Sequence, residues 1–200
     1  APAAGGVATP DVEVFNNKEF KAPTTADNTK SGLATTADGT IAYYPVSGNY
    51  DFWGYRVDDA AVGGDPVVKT VDDTGAEVEA NVATKRVVDI KIDGSQDIMA
   101  GKAVPSADEV TKLGGYAENF YSAYAARKGV QPNITFNHLL TRFTFEVRAG
   151  SKATAGLPAG GNTDAVKVTG VSVGSKTTGT LTVAYTGATK KAAELLTFTG

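Results

Sequence analysis

The chain has 200 residues, a formal net charge of -3 at pH 7 and no cysteine. Without cysteine it can form no disulfide framework and no thiolate metal site, and it has no cysteine nucleophile. Hydrophobic residues make up 42% of the chain, which is enough to bury a core and argues against wholesale disorder. The 19 Lys and Arg residues are scattered along the sequence. Because nucleic-acid binders concentrate basic residues where they meet phosphates, we expect no nucleic-acid partner.

The N-terminal residues are small and featureless. Residues 1–6 lack the charged and then apolar layout of a signal peptide, and no apolar run approaches the ~18 residues of a membrane span. We therefore expect either a cytoplasmic protein or the mature or trimmed form of an exported one.

Short alternating segments dominate the predicted elements. In chain order, the predicted strands are residues 11–15, 41–45, 50–57, 67–71, 76–82, 87–92, 142–148, 166–168, 171–173, 180–185 and 195–198. The second and third are predicted to form a hairpin, because Ser47-Gly48-Asn49 lies between them. Turns every ~8–12 residues favour an all-β antiparallel sandwich over βαβ units.

One region interrupts the strand pattern. Ser106 and Glu109 have the spacing of a capping box. Residues 116–128 have a helical composition closed by Gly129. The sequence predicts at most one or two short helices, all within residues 106–129.

The segment at residues 142–148 shows the cleanest alternation in the chain. It places Phe143, Phe145 and Val147 on one face and polar or charged groups on the other, as in a half-buried strand. We expect these three residues in the core together with Phe52 or Trp53. Truncation of a buried phenylalanine such as Phe145 to Ala typically costs ~3–5 kcal/mol.

Two glycine-containing segments resemble catalytic motifs but lack their context. The 170–174 segment matches the G-x-S-x-G pattern, yet the single histidine, His138, precedes Ser172, and no helix is predicted after it. The 94–102 segment has the wrong glycine spacing for a phosphate loop, with Ala103 where a hydroxyl is needed. We expect no catalytic or cofactor-binding residues and no enzymatic activity.

The acidic residues and the histidine do not follow the pattern of a metal site. Asp89, Asp93 and Asp97 do not follow the order of a calcium loop, so we interpret them as acidic turn residues. His138 is the single histidine of the chain, so no second imidazole can join it as a metal ligand. We expect it to be hydrogen-bonded at the entrance of a strand.

Aromatic residues cluster between residues 43 and 55. The cluster comprises Tyr43, Tyr44, Tyr50, Phe52, Trp53 and Tyr55. Alternation places Tyr50 and Phe52 on one face and Trp53 and Tyr55 on the other, so at least one face is expected to be core. The alternative is an exposed platform on which sugar rings stack.

Three segments, in this order, resemble the fimbrillin family of Bacteroidales surface pilins. They are Tyr43-Tyr44-Pro45 leading into Asp51-Phe52-Trp53-Gly54-Tyr55, then Asp97-Ile98-Met99-Ala100, and finally Ile134 to Leu140 followed by Arg142 to Val147. The third is the most specific. The resemblance implies an antiparallel transthyretin-like Greek-key sandwich, export as a lipoprotein, and assembly on the outer membrane by strand donation between subunits.

The resemblance leads to a functional hypothesis. The chain is expected to be a structural subunit of a cell-surface pilus or fimbria, with other pilin subunits as partners; the alternative is an adhesin or glycan-binding lipoprotein that does not polymerise and binds host or bacterial surface ligands. Membrane contact would come only through a lipid anchor, for which this chain has no cysteine. The first arginine is Arg56, so the family's cleavage after an arginine near the N-terminus is not matched. We expect the chain to be either a fragment or a short member of the family.

The sequence divides into two predicted parts. Residues 1–40 form an N-terminal extended segment with the first strand, and residues 41–200 form the sandwich domain, whose C-terminal part is alternatively the beginning of a second β-domain. Within residues 1–30 we expect a segment that is either loosely attached or the first strand of the sandwich. In the family such a segment is displaced and a neighbour's strand replaces it.

Overall fold

The computed structural model describes residues 17–21, 35–46, 48–114, 121–146 and 169–199. In chain order the elements of these ranges are β1 (Phe20–Lys21), β2 (Thr35–Thr36), β3 (Trp53–Arg56), α1 (Asp59–Val62), β4 (Val68–Val71), β5 (Lys85–Lys91), β6 (Met99–Lys102), α2 (Ala107–Lys112), α3 (Ala123–Arg127), β7 (Asn137–His138), β8 (Thr178–Tyr185), α4 (Ala192–Leu195) and β9 (Leu196–Thr199).

The strands form three antiparallel sheets. The largest has the order β4-β5-β8-β9, the second has the order β3-β6-β7, and β1 pairs with β2 in a separate ribbon. β5 and β8 pair along their whole lengths, from Lys85 opposite Tyr185 to Lys91 opposite Thr178, with an irregularity between Arg86 and Val87. The two larger sheets supply the layers of the fold.

The main core lies between these two sheets. β8 alternates strictly, so that Leu181, Val183 and Tyr185 are buried while the residues between them are only partly covered. β5 adds Val88 and Ile90 from the same sheet. The facing sheet contributes three residues, Trp53, Tyr55 and Ala100. Side chains from two antiparallel sheets thus share one apolar interior, and the predicted all-β sandwich is confirmed.

A second, smaller core lies beneath the helices. It consists of Ala103, Leu113, Tyr121, Ala125 and Val130, with Tyr44, Phe52 and Ile134 packed against it. The ring of Tyr121 meets that of Phe52 edge to face, with centroids 5.7 Å apart. Aromatic pairs prefer this arrangement. Burial raises the pKa of Tyr121 to about 12.

The predicted helical region is largely confirmed. At α2 the Glu109 amide donates to Ser106 Oγ at 3.3 Å, and the Ser106 amide donates to Glu109 Oε2 at 2.8 Å, which completes the capping box. α3 occupies residues 123–127 of the predicted 116–128 helix, while residues 116–120 lie outside the described ranges.

The restriction of helices to residues 106–129 is wrong. α1 and α4 lie outside that window, each with four residues. A single helical turn is too short to display the 3.6-residue periodicity on which the prediction depends.

Five of the predicted strands correspond to β3, β4, β5, β8 and β9, and four others do not. The 41–45 strand and its hairpin are wrong, because residues 41–45 have no strand structure and β3 pairs with β6 instead. The 76–82 segment makes only a single bridge, between Val71 and Glu77. Residues 171–173 are not a strand, and Val171 and Val173 are exposed.

The predicted core strand at residues 142–148 is also wrong over its described part. Residues 141–146 have no regular secondary structure, and Phe143 and Phe145 are 67% and 60% exposed. Alternation determines which side chains share a face, but burial requires a second layer, and the structure packs none against these phenylalanines among the residues it describes. Val147 and the predicted strands at 11–15 and 166–168 lie outside the described ranges.

Candidate functional site

The aromatic residues of the predicted cluster lie mostly in the two cores. Tyr44 contacts Tyr50 and Phe52 with ring centroids 5.9 and 6.0 Å apart. On the other face, Trp53 meets Tyr185 with centroids 6.1 Å apart. Tyr43 is the exception in this cluster, because 81% of its surface is exposed.

Lys102 lies between the aromatic rings of the main core and its ion-pair partner Asp51. Its ammonium lies 3.1 Å from Asp51 Oδ2, and only 10% of the lysine side chain is exposed. The same ammonium lies over the rings of Trp53 and Tyr185, at 5.1 and 5.7 Å from their centroids. Lys102 opposes Trp53 in the register of β6 and β3, so strand pairing places the cation beside the indole.

His138 is hydrogen-bonded in β7, as expected. Its Nδ1 lies 2.9 Å from Asp97 Oδ1. The Asp97 amide in turn donates to Asp58 Oδ2 at 2.8 Å, and Arg56 pairs with Asp58 at 2.7 Å. This network ties the ends of β3, β6 and β7 together on the surface of the three-stranded sheet.

The three aspartates considered as a calcium loop have separate partners. Asp89 pairs with Lys69 at 2.6 Å, and Asp93 Oδ1 accepts from the Ser95 amide and hydroxyl. Asp97 pairs with His138. Within the described ranges, no three His, Asp or Glu side chains lie close enough together to hold a metal ion.

The two glycine-containing segments differ in structure. Residues 170–174 have no regular structure and no helix follows them directly, so the strand-to-helix turn of a hydrolase elbow is not formed there. Gly101 lies in β6, where a Cβ would come within 2.3 Å of the Thr135 carbonyl oxygen. The second motif therefore contains a glycine that allows two backbone segments to approach closely.

The outer edge of β9 is open in the described structure. β9 pairs with β8 on one side, and no described strand pairs with it on the other. Leu196 and Phe198 face inward and pack against the main core, whereas Thr197 and Thr199 are exposed. An edge strand with unpaired backbone groups is a template for a further strand.

A second open surface is residues 141–145, which we call the Phe143 segment. No described strand pairs with it, and its residues are all exposed. It follows β7, which pairs with β6 through Asn137 and His138. The chain therefore continues from the edge of the three-stranded sheet into a segment that has the sequence of a strand but pairs with none of the described strands.

The described part of the N-terminal segment lies on the surface. Among the described strands β1 pairs with β2 alone, and both its residues are exposed. Lys18 pairs with Asp38 at 2.6 Å, which holds the pKa of that carboxyl well below its usual range. Tyr55 also donates a hydrogen bond to the Asn17 side chain. Residues 17–21 thus form a surface ribbon rather than a strand of either large sheet.

Comparison with known proteins gives no relative. No family model, no curated protein and no solved structure matches the chain. In the described part of the chain, no helix has the length and apolar character needed to cross a membrane.

Proposed function

We propose that the chain is a structural subunit of a cell-surface pilus, exported to the outer membrane, in which copies assemble by adding a strand of one subunit to a sheet edge of the next. The observation that carries this proposal is the Phe143 segment. Two phenylalanines alternate with polar residues there, yet Phe143 and Phe145 are 67% and 60% exposed. An unpaired segment with strand patterning and exposed apolar side chains is suited to strand addition.

The open edge of β9 supplies a complementary surface on the same chain. Leu196 and Phe198 line its inward face, and Thr197 and Thr199 its outward face. Pairing between the Phe143 segment of one copy and β9 of the next would join two different surfaces. Such a head-to-tail contact forms open filaments when its rotation does not close a ring, as a pilus shaft requires.

The expected strength of one such contact is modest. Burial of two phenylalanines contributes about 3–6 kcal/mol, and each new backbone hydrogen bond adds about 1 kcal/mol. Association itself costs roughly 4–15 kcal/mol. We therefore expect assembly to depend strongly on protein concentration unless a displaced N-terminal segment exposes further surface.

The proposal is tested by sedimentation velocity of the full chain over a wide concentration range. Wild type is expected to form oligomers that grow with concentration, and the double variant Phe143→Asp/Phe145→Asp is expected to remain monomeric. Tyr124→Asp is the matched control, because Tyr124 is also exposed, at 55%, but lies on α3. Wild type that stays monomeric at all concentrations, or a control that loses assembly equally, would contradict the proposal.

A second candidate function is a surface binder that does not polymerise. It is favoured by the segment before β3, where Ile41, Tyr43 and Val46 are 73%, 81% and 100% exposed. Exposed tyrosine rings can stack on sugars or on partner side chains. A glycan-array signal that is lost in Tyr43→Ala, from a chain that sediments as a monomer, would favour this function over assembly.

A further inference from the structure

A cavity of about 220 Å³, lined by both polar and apolar residues, opens beside the end of β8. Its walls come from three parts of the fold: the end of β6 with Lys102, the segment with Asn133, Thr135 and Asn137, and the turn after β8 with Lys190. Tyr185 also lines the cavity.

The turn after β8 is fixed in position by Tyr185. The Lys190 amide donates to the tyrosine hydroxyl at 2.9 Å, and the Lys190 ammonium lies over the same ring, 5.4 Å from its centroid. Tyr185 is itself buried, with 4% of its surface exposed. A rigid residue therefore positions both the backbone and the charge of Lys190 at the cavity wall.

Two ammonium groups converge on this one ring. Lys102 lies 5.7 Å from the Tyr185 centroid and Lys190 lies 5.4 Å from it. Lys102 has a carboxylate partner, Asp51 at 3.1 Å, whereas no carboxylate pairs with Lys190 among the residues that the structure describes. Beyond the Lys102–Asp51 pair, the cavity wall thus carries the ammonium of Lys190, and an anion placed in the cavity would be attracted to it.

The remaining polar groups indicate which anion fits. Asn133 and Asn137 offer amides that both donate and accept, and Thr135 offers a hydroxyl. The oxygens of a carboxylate or an ionised phosphate only accept hydrogen bonds, so either anion would leave the asparagine carbonyl oxygens without a donor, whereas sugar hydroxyls both donate and accept. The cavity is smaller than the ~300–1,000 Å³ of sites for drug-sized ligands, so it suits one ring rather than an oligosaccharide.

We propose that this cavity binds a single acidic monosaccharide unit, with the sugar carboxylate facing Lys190 and Lys102 and the ring hydroxyls facing Asn133, Thr135 and Asn137. The site does not depend on subunit assembly. It is also separate from the surface on which the second candidate function rests, because Tyr43 does not line the cavity.

The test is an NMR titration of the full chain with D-glucuronate, D-glucose and acetate at low salt. Glucuronate is expected to cause saturable shifts of cavity amides, with a Kd of about 1 mM or tighter. Glucose lacks the charge and acetate lacks the hydroxyls, so each is expected to bind at least tenfold more weakly. Absence of saturable shifts, or equal binding of acetate and glucuronate, would overturn the proposal.

Matched lysine variants identify the site. Lys190→Gln is expected to weaken glucuronate binding at least tenfold. Lys128→Gln is the control, because Lys128 also lies over a tyrosine ring, 5.8 Å from the Tyr124 centroid, but does not line the cavity. Equal losses in both variants would refute the assignment, and the dispersion of each spectrum shows whether the variant is folded. Sedimentation of the same samples separates this outcome from any failure of assembly.

Discussion

Two lysine–carboxylate pairs of similar geometry lie in different surroundings in this fold. The Lys102 ammonium is 3.1 Å from Asp51, and the lysine side chain is 10% exposed. The Lys69 ammonium is 2.6 Å from Asp89, with side-chain exposures of 38% and 62%. The shorter pair is the more hydrated one, so distance alone does not rank their contributions to stability.

We therefore expect Asp51→Asn to lower the free energy of unfolding by about 1–2 kcal/mol, because it leaves a nearly buried ammonium without its counter-charge. Asp51 itself keeps 30% of its side chain exposed to solvent, so the loss should be smaller than for a fully buried pair. Asp89→Asn is the matched control and should leave the urea midpoint essentially unchanged. Equal effects of the two substitutions would show that burial of Lys102 does not strengthen its pair.

Turn aspartates give the fold a defined acid sensitivity. The Thr74 hydroxyl and nearby amides hold the pKa of Asp72 below its usual value, and Ser95 does the same for the pKa of Asp93. A carboxyl whose pKa is lowered in the folded state stabilises the fold above its unfolded pKa of about 3.9. That contribution is lost as pH falls through the folded pKa.

The double variant Asp72→Asn/Asp93→Asn should accordingly lose less stability than wild type when pH is lowered from about 6 to about 3. Urea unfolding at both pH values measures the difference. Asp65→Asn, which alters an exposed carboxylate in the turn after α1, should behave as wild type. A double variant with the wild-type pH dependence would assign the acid sensitivity to other groups.

At the scale of elements, the segment before β7 runs alongside β6 and comes close to its backbone at Gly101. A Cβ on Gly101 would lie 2.3 Å from the Thr135 carbonyl oxygen, whereas one on Gly174 would meet no atom within 4 Å. Gly101→Ala should therefore destabilise the fold by at least about 2 kcal/mol, because backbone must move to make room.

Gly174→Ala is the control for this substitution and should leave stability unchanged or raise it by up to about 1 kcal/mol, since alanine restricts the unfolded chain. Thermal or urea unfolding of both variants decides the matter. A Gly101→Ala variant as stable as wild type would mean that β6 and residues 134–136 do not approach each other as closely as described.

The predictable elements are those whose sequence pattern and surroundings agree. β8 alternates and lies at the centre of the largest sheet between β5 and β9, so its pattern identifies both the strand and its buried face. The capping box at Ser106 is a local interaction and needs no distant partner. These features follow from residues near one another in sequence.

The Phe143 segment shows where such inference ends. Its alternation is as regular as that of β8, but a strand needs hydrogen-bonding partners from distant parts of the chain, and the pattern does not contain them. The cavity at Lys190 was equally inaccessible from sequence, because its walls come from segments near residues 102, 135 and 190. Lys102 and Lys190 are far apart in sequence, so no sequence pattern predicts that both lie over the ring of Tyr185.

For the whole molecule, the exposure of Phe145 changes the expected effect of truncating it. A buried phenylalanine would cost ~3–5 kcal/mol, but Phe145 is 60% exposed in the single chain. Phe145→Ala should therefore alter the unfolding free energy of the dilute monomer by less than about 1 kcal/mol. Urea unfolding at low protein concentration measures this, and a loss in the range for a buried phenylalanine would place the residue in the core after all.

The most direct test of assembly uses the absence of cysteine from the chain. Thr144 lies in the Phe143 segment and Thr197 in β9, and both are exposed, so each can be replaced by Cys separately and the two proteins mixed with a short bismaleimide. Strand addition predicts cross-linked heterodimers between Thr144→Cys and Thr197→Cys chains, because directly opposed Cβ atoms in antiparallel strands are only ~5 Å apart. Lys112→Cys on α2 replaces Thr144→Cys in the control mixture. Heterodimers formed equally in both mixtures, or in neither, would contradict assembly through these two surfaces.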